Sequence, residues 1–342
     1  MGKRYLAVSS SIVVLAFLAG TAAQRTSTST TARDILPLQL EEEIPVPNVA
    51  GRLDHFTADI KRRRLIFSAL GNNTVEVIDI FEGRLIHTIT GLSEPQGVVY
   101  VPDFDQLVVA NAGDGKVRIF DGANYTLRKT LDFAEDPDNV RYDPTSRTIF
   151  VGYGQDDGGI GIIDPATDER VGTDFKTGGH PESFQVEATH IFVNVPDAGD
   201  VVESIDRKTG AGTKWPLKGL RQNYAMALNE ADHRLYTIAR KTPMLVVFDT
   251  QTGKEVARLR AAGECDDVYF DASRKRIYVI GGEGFISVFQ QNDPDHYSLI
   301  ANVPSSISAK TGYFHAKRDR LYVGVPAKGN EPAQVWTYEA ED

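Results

Sequence analysis

A five-residue alternating segment that ends in Asp, or in a residue standing in its place, recurs seven times along the chain. It reads VEVID at Val75–Asp79, VRIFD at Val117–Asp121, IGIID at Ile160–Asp164, VESID at Val202–Asp206, LVVFD at Leu245–Asp249, ISVFQ at Ile286–Gln290 and QVWTY at Gln334–Tyr338. The closing residues lie 42, 43, 42, 43, 41 and 48 positions apart. A fixed period of this length marks a repeat architecture, whose modules bury their apolar faces only against one another. Each copy follows a second apolar strand, such as LIFSA from Leu65, LVVAN from Leu107 and IYVIG from Ile277. A third lies further upstream, as in HFTAD from His55 and NVRYD from Asn139, and a fourth follows the Asp, as in RLIHTI from Arg84. No segment sustains a 3.6-residue apolar period, so helix is nearly excluded. Four short strands per period, joined by Gly, Asp, Asn and Pro turns, predict an all-β chain folded as one seven-bladed β-propeller.

The seventh unit reaches Asp342 without a fourth strand, while Leu36–Val46 (LPLQLEEEIPV) stands unassigned ahead of the first. Pairing that segment onto the last blade closes the ring and removes an open edge. The propeller is thus expected over 36–342. Ahead of it, Lys3 and Arg4 precede an apolar run from Tyr5 to Gly20 and the small residues Thr21, Ala22 and Ala23. This is the pattern of a secretory signal peptide over 1–23, cleaved after Ala23, and it predicts a periplasmic or secreted protein with no membrane insertion after cleavage. The Ser- and Thr-rich stretch that follows, within 24–35, reads as a flexible leader.

The 342 residues are 41% hydrophobic and 25% charged, which excludes wholesale disorder. With 37 Lys and Arg against 47 Asp and Glu, the net charge of −10 runs against nucleic-acid binding. Cys265 is the sole cysteine, so no intrachain disulfide and no multi-thiolate metal site can form.

The unit Pro95–Leu131, with its Pro-x-Gly-Val, Val-Ala-Asn, Val-x-apolar-apolar-Asp and Thr-Leu elements, resembles the YVTN-type repeat of YncE-like seven-bladed propellers. The resemblance extends over essentially all of 36–342. It implies an exported propeller, with relatives among lactonases and cofactor-dependent dehydrogenases. Only Trp215 and Trp336 occur and neither precedes Asp, unlike WD repeats or the tryptophan-rich quinoprotein type.

Familiar catalytic motifs are missing, including G-x-S-x-G, the P-loop and H-E-x-x-H. Function must then come from ring geometry. Residues at the start of each innermost strand converge on the channel axis: Asp54, Gln96, Asp138, Glu182, Tyr224, Asp266 and Gly312, followed one position later by His55, Gly97, Asn139, Ser183, Ala225, Asp267 and Tyr313. Carboxylates crowded about an axis repel unless a cation, water or a proton relieves them. Asp138, Glu182, Asp266 and Asp267 are the expected metal ligands, for Ca²⁺ or Mg²⁺ by oxygen chemistry, or Zn²⁺ where a histidine joins. Asp54, His55, Gln96, Asn139, Tyr224 and Tyr313 are expected to contact a ligand, with His55 or Asp54 as base in any catalysis. His180 and His315 sit close in register. Capping of turns is the alternative role for such Asp and Asn residues, and it is assigned outright to Asp79, Asp121, Asp164, Asp206 and Asp249. Cys265 is expected to be an inert, packed residue.

These features favour a monomeric, exported binding propeller whose axial loop face takes a small ligand, a metal or a protein partner. The alternatives are a metal-dependent lactonase-like hydrolase with a divalent cation at the channel mouth, and the non-cofactor subunit of a periplasmic redox complex.

Overall fold

Each Asp-terminated strand is the third of its sheet, and its carboxylate builds the turn that follows. Asp79 Oδ1 accepts the backbone N–H groups of Phe81 and Glu82, Asp121 those of Ala123 and Asn124, Asp206 those of Lys208 and Thr209, and Asp249 those of Gln251 and Thr252. Asp164 caps its turn through Ala166. The repeat signature is therefore turn chemistry, as expected of Asp.

The computed structural model describes residues 1–2 and 36–342. Apart from Met1 and Gly2, the signal peptide and leader expected over 1–35 lie outside the described residues. Residues Leu36–Asp342 form seven antiparallel sheets. The first blade, typical of the set, runs Phe56–Asp59, Arg64–Ala69, Thr74–Asp79 and Arg84–Ile89 in spatial order. In the third blade the outer strand is split into two short pieces, Glu169–Arg170 and Phe175–Lys176, both paired with Gly159–Asp164. Arg170 stacks over Phe133 and pairs with Asp174 at 2.6 Å, so the edge is held by side chains where the ladder is interrupted.

Strand Leu38–Val46 completes the seventh blade. It pairs antiparallel with Ala333–Ala340, from Leu38 opposite Ala340 to Val46 opposite Ala333, with a bulge between Leu40 and Glu42. Both chain segments thus meet in one sheet.

Seven apolar clusters hold the ring, one between each pair of neighbouring blades. Leu65, Phe67 and Ile78 of the first blade pack with Ile44, Tyr322 and Val335 of the seventh. Tyr278 and Ile280 of the sixth pack with Leu38, Leu321 and Tyr338 of the seventh. The remaining five clusters bridge the other neighbours in the same way. Second and third strands are buried on both faces, which explains their near-continuous apolar runs; burial at about 25 cal/mol per Å² makes these interfaces the main source of stability. Among the described residues no helix is long and apolar enough to cross a membrane.

Candidate functional site

The loops that start the innermost strands and those joining second to third strands share one face. Gly71 N–H donates to Arg52 O, Gly113 N–H to Ser93 O and Gly154 N–H to Glu135 O, tying the two loop sets together. A cavity of about 500 Å³ opens there, at the channel mouth. Five strand-start residues line it: Gln96, Asp138, Glu182, Tyr224 and Asp266. Below it lies a second chamber of about 340 Å³, lined by His55, Asp267 and Tyr313 together with Arg141 and Tyr269.

Asp138, His180 and Glu182 each present a ligand atom such that all three lie within 4.8 Å of one another. His180 Nδ1 donates to Gly154 O at 2.5 Å, and Nε2 faces Asp138 Oδ2 at 3.8 Å. A backbone carbonyl on one ring nitrogen fixes the tautomer and leaves the other nitrogen free to ligate. Asp138 is 5% exposed, and its Oδ1 has no hydrogen-bond donor. Buried carboxylate oxygens normally find a partner, so this one calls for a cation or a proton.

Proton uptake balances the cluster in the metal-free chain. Burial pulls the His180 pKa down, but the Asp138 and Glu182 carboxylates outweigh it and raise the pKa to about 9. Burial likewise opposes His55, yet Asp267, Asp54 and Asp138 lift it to about 9. Glu182 rises to about 8, mainly by burial and then by repulsion from Asp138. Asp138 is itself held below the ordinary carboxylate value: burial pushes up, and His180 and His55 win.

The other expected metal ligands are engaged elsewhere. Asp266 is paired with Arg240 and with Lys310 Nζ at 2.8 Å. Asp267 accepts from His55 Nδ1 at 3.1 Å and from Gly312 N–H at 3.0 Å. Asp54 is fully buried, raised by burial, and paired with Arg52 at 2.9 Å. His55 lies between Asp54, Asp138 and Asp267, in the layer separating the two chambers. Gln96 donates to Asp136 at the cavity wall. Asn139 is buried and lines neither chamber, and Tyr224 lies beneath the Arg240 guanidinium at 3.9 Å. His315 is buried on the inner strand of the seventh blade, outside both chambers. Cys265 is fully buried, and burial pushes its thiol far above the reactive range.

The four cations Arg52, Arg141, Arg240 and Lys310 were not foreseen as site residues. Arg52 and Lys310 share one register, two residues before Asp54 and Gly312, and Arg141 and Arg240 stand where the other blades carry no arginine, so a departure from the repeat was the available signal. Arg240 lies in Arg234–Lys241, whose counterparts Arg64–Ala69 and His190–Val195 end in apolar residues.

No protein-family model matches the chain, and no curated protein matches it in sequence. Solved structures do. The structure titled Kuenenia stuttgartiensis hydrazine synthase aligns at 15% identity with a TM-score of 0.70, over 81% of this chain and 94% of that one. A structure of the WD40 repeats of RRP9 aligns at 10% identity and TM-score 0.77, over 89% and 100% respectively. One of a mitotic checkpoint complex aligns at 13% identity and TM-score 0.73, over 95% and 98%. At such identities the likeness is one of fold: the chain is a seven-bladed β-propeller.

Proposed function

We propose that this protein is an exported binding propeller that holds a divalent cation on Asp138, His180 and Glu182 and takes a small polar molecule into the mouth cavity. The carrying observation is the three-residue cluster itself, with its carbonyl-oriented imidazole and its donor-free buried carboxylate oxygen. One imidazole with two carboxylates suits Zn²⁺ or Mn²⁺ better than the Ca²⁺ or Mg²⁺ suggested by oxygen rings alone. Arg52 and Arg240 line the same cavity, and Tyr224 supplies an aromatic wall stiffened by Arg240. Export rests on the N-terminal sequence pattern, and kinship with YncE-like propellers rests on the repeat residues of Pro95–Leu131. The hydrazine synthase likeness is one of fold and adds no support for a redox-complex role.

A second reading, metal-assisted hydrolysis of a lactone, is favoured by the number of protein ligands. Three leave a position open for water or a carbonyl, and a bound divalent cation lowers the pKa of water and polarises a carbonyl. In this reading His55 and Asp54 lie beneath the mouth cavity, so neither is placed to act as base there.

Elemental analysis of the chain purified without chelator tests both readings. About one equivalent of metal, with a melting temperature lowered by chelator, is expected. Less than about 0.2 equivalent and no chelator effect contradict the cation. Turnover of sugar or homoserine lactones that vanishes with chelator selects the hydrolase, and binding without turnover selects the binding protein.

A further inference from the structure

The lower chamber holds a guanidinium that, among the described residues, no carboxylate pairs with. Arg141, second residue of the inner strand Val140–Asp143, lines this chamber. Its Nη1 donates to Val140 O at 3.0 Å, its Nη2 to Ser183 Oγ at 3.2 Å, and the guanidinium lies 5.7 Å from the Phe184 ring. All these partners are neutral. Among the described residues it makes no ion pair with a carboxylate. Asp267 is the nearby acid; its oxygens accept from His55 Nδ1 and Gly312 N–H, and it forms no ion pair with Arg141. Burial pulls the Arg141 pKa down, with Asp267, Tyr269 and Asp138 opposing. A partly buried guanidinium without an ion-pair partner is costly, and its planar fork fits a carboxylate.

The rest of the chamber limits what could bring that carboxylate. Val98, Val99, Val140 and Ala227 give it an apolar wall. Tyr269 OH is spent on Gly312 O, and Gln185 gives one of its two amide N–H groups to Met226 O. Too few donors remain for a phosphate, which presents more acceptor oxygens than one guanidinium can satisfy. Toward the far face, Thr57 and Tyr313 also line a neighbouring cavity of about 650 Å³ that includes Lys61 and Arg62.

We infer that the lower chamber is a second ligand site, separate from the mouth, that binds a small monocarboxylate with a short apolar tail, its carboxylate on Arg141 and its tail against the valine wall. The site stands on its own residues and does not depend on the metal at the mouth.

Calorimetry on the chelator-stripped full chain tests it, with isobutyrate, neutral isobutyramide and inorganic phosphate as probes. Isobutyrate is expected to bind saturably, with or without added Zn²⁺. Isobutyramide and phosphate are expected to bind at least tenfold more weakly, and Arg141→Met to weaken isobutyrate at least tenfold, with Arg141→Lys in between. Equal binding of acid and amide, tighter phosphate, or unchanged affinity in Arg141→Met overturns the assignment. If Arg141→Met does not fold, crystals of the unmodified chain soaked in 3-bromopropionate decide. A bromine anomalous peak beside Arg141 supports the site, and a peak only elsewhere, or none, overturns it.

Discussion

His55 Nδ1 donates to Asp267 Oδ1 across 3.1 Å, joining residues 212 positions apart at the floor of the mouth cavity. A carboxylate only accepts, so the proton resides on Nδ1, and the raised pKa adds a second proton on Nε2, toward Asp54 and Asp138.

This pair makes stability depend on pH. The His55 pKa in the folded chain is about 9 against 6.5 for the ordinary group. Its contribution is therefore fully present below pH 6.5 and is lost as pH rises through 9; a shift of that size corresponds to about 3 kcal/mol. Urea unfolding of the metal-free chain at pH 6 and pH 9.5 is expected to show this loss, and His55→Gln to reduce it, with His180 and Glu182 supplying the remaining slope. An identical pH slope in His55→Gln contradicts the assignment.

Closure of the ring is tested in the strand Leu38–Val46. Ile44 is 1% exposed in the cluster between the first and seventh blades, whereas Leu40 is 44% exposed. Ile44→Ala is expected to cost about 2–4 kcal/mol and Leu40→Ala less than about 0.5 kcal/mol by denaturant unfolding. Equal effects would mean that the strand does not close the blade.

Gly97 couples blade packing to the site. A Cβ there would lie 2.0 Å from the Asp138 carbonyl oxygen and 2.9 Å from Val140 N, both backbone atoms that must move to admit it. Gly97→Ala is expected to destabilise by about 1–3 kcal/mol and to weaken cation binding by displacing Asp138. Wild-type stability together with wild-type metal affinity would contradict this.

Arg240 is expected to matter more through Asp266 than through its own packing. Removing it leaves a buried carboxylate with Lys310 and the more distant Arg52. Arg240→Met is expected to cost about 3 kcal/mol, and the double change Arg240→Met with Asp266→Leu to recover much of it. Additive losses in that double-mutant cycle would show that the pair is not coupled.

The blades were legible because Asp at the third-strand end does a local job, capping one turn, and local jobs leave fixed spacing. Leu38–Val46 was legible because a ring with an open edge is unsatisfactory. Six of the seven turns before the second strands repeat a conformation but not a residue. Arg63, Asp105, Arg147, His233, Lys275 and Asp319 all have positive φ, and no common side chain announces it. The site was legible only in part. Asp138 and Glu182 came from register, but pairing within the rings depends on cations from other positions, so the competition of Arg240 and Lys310 for Asp266 left no trace in spacing. His180 stood two residues ahead of Glu182, and only the Gly154 carbonyl, set by the loop between second and third strands, turns it toward Asp138.

The most direct test of the cation site is calorimetric titration of Zn²⁺ into the chelator-stripped chain at pH 8, beside Asp138→Asn and His180→Gln. The account predicts one site in the wild type, with release of protons as the raised His180 and Glu182 give theirs up, and at least tenfold weaker binding in either variant. Saturable binding that survives both substitutions, or none in the wild type, would contradict it.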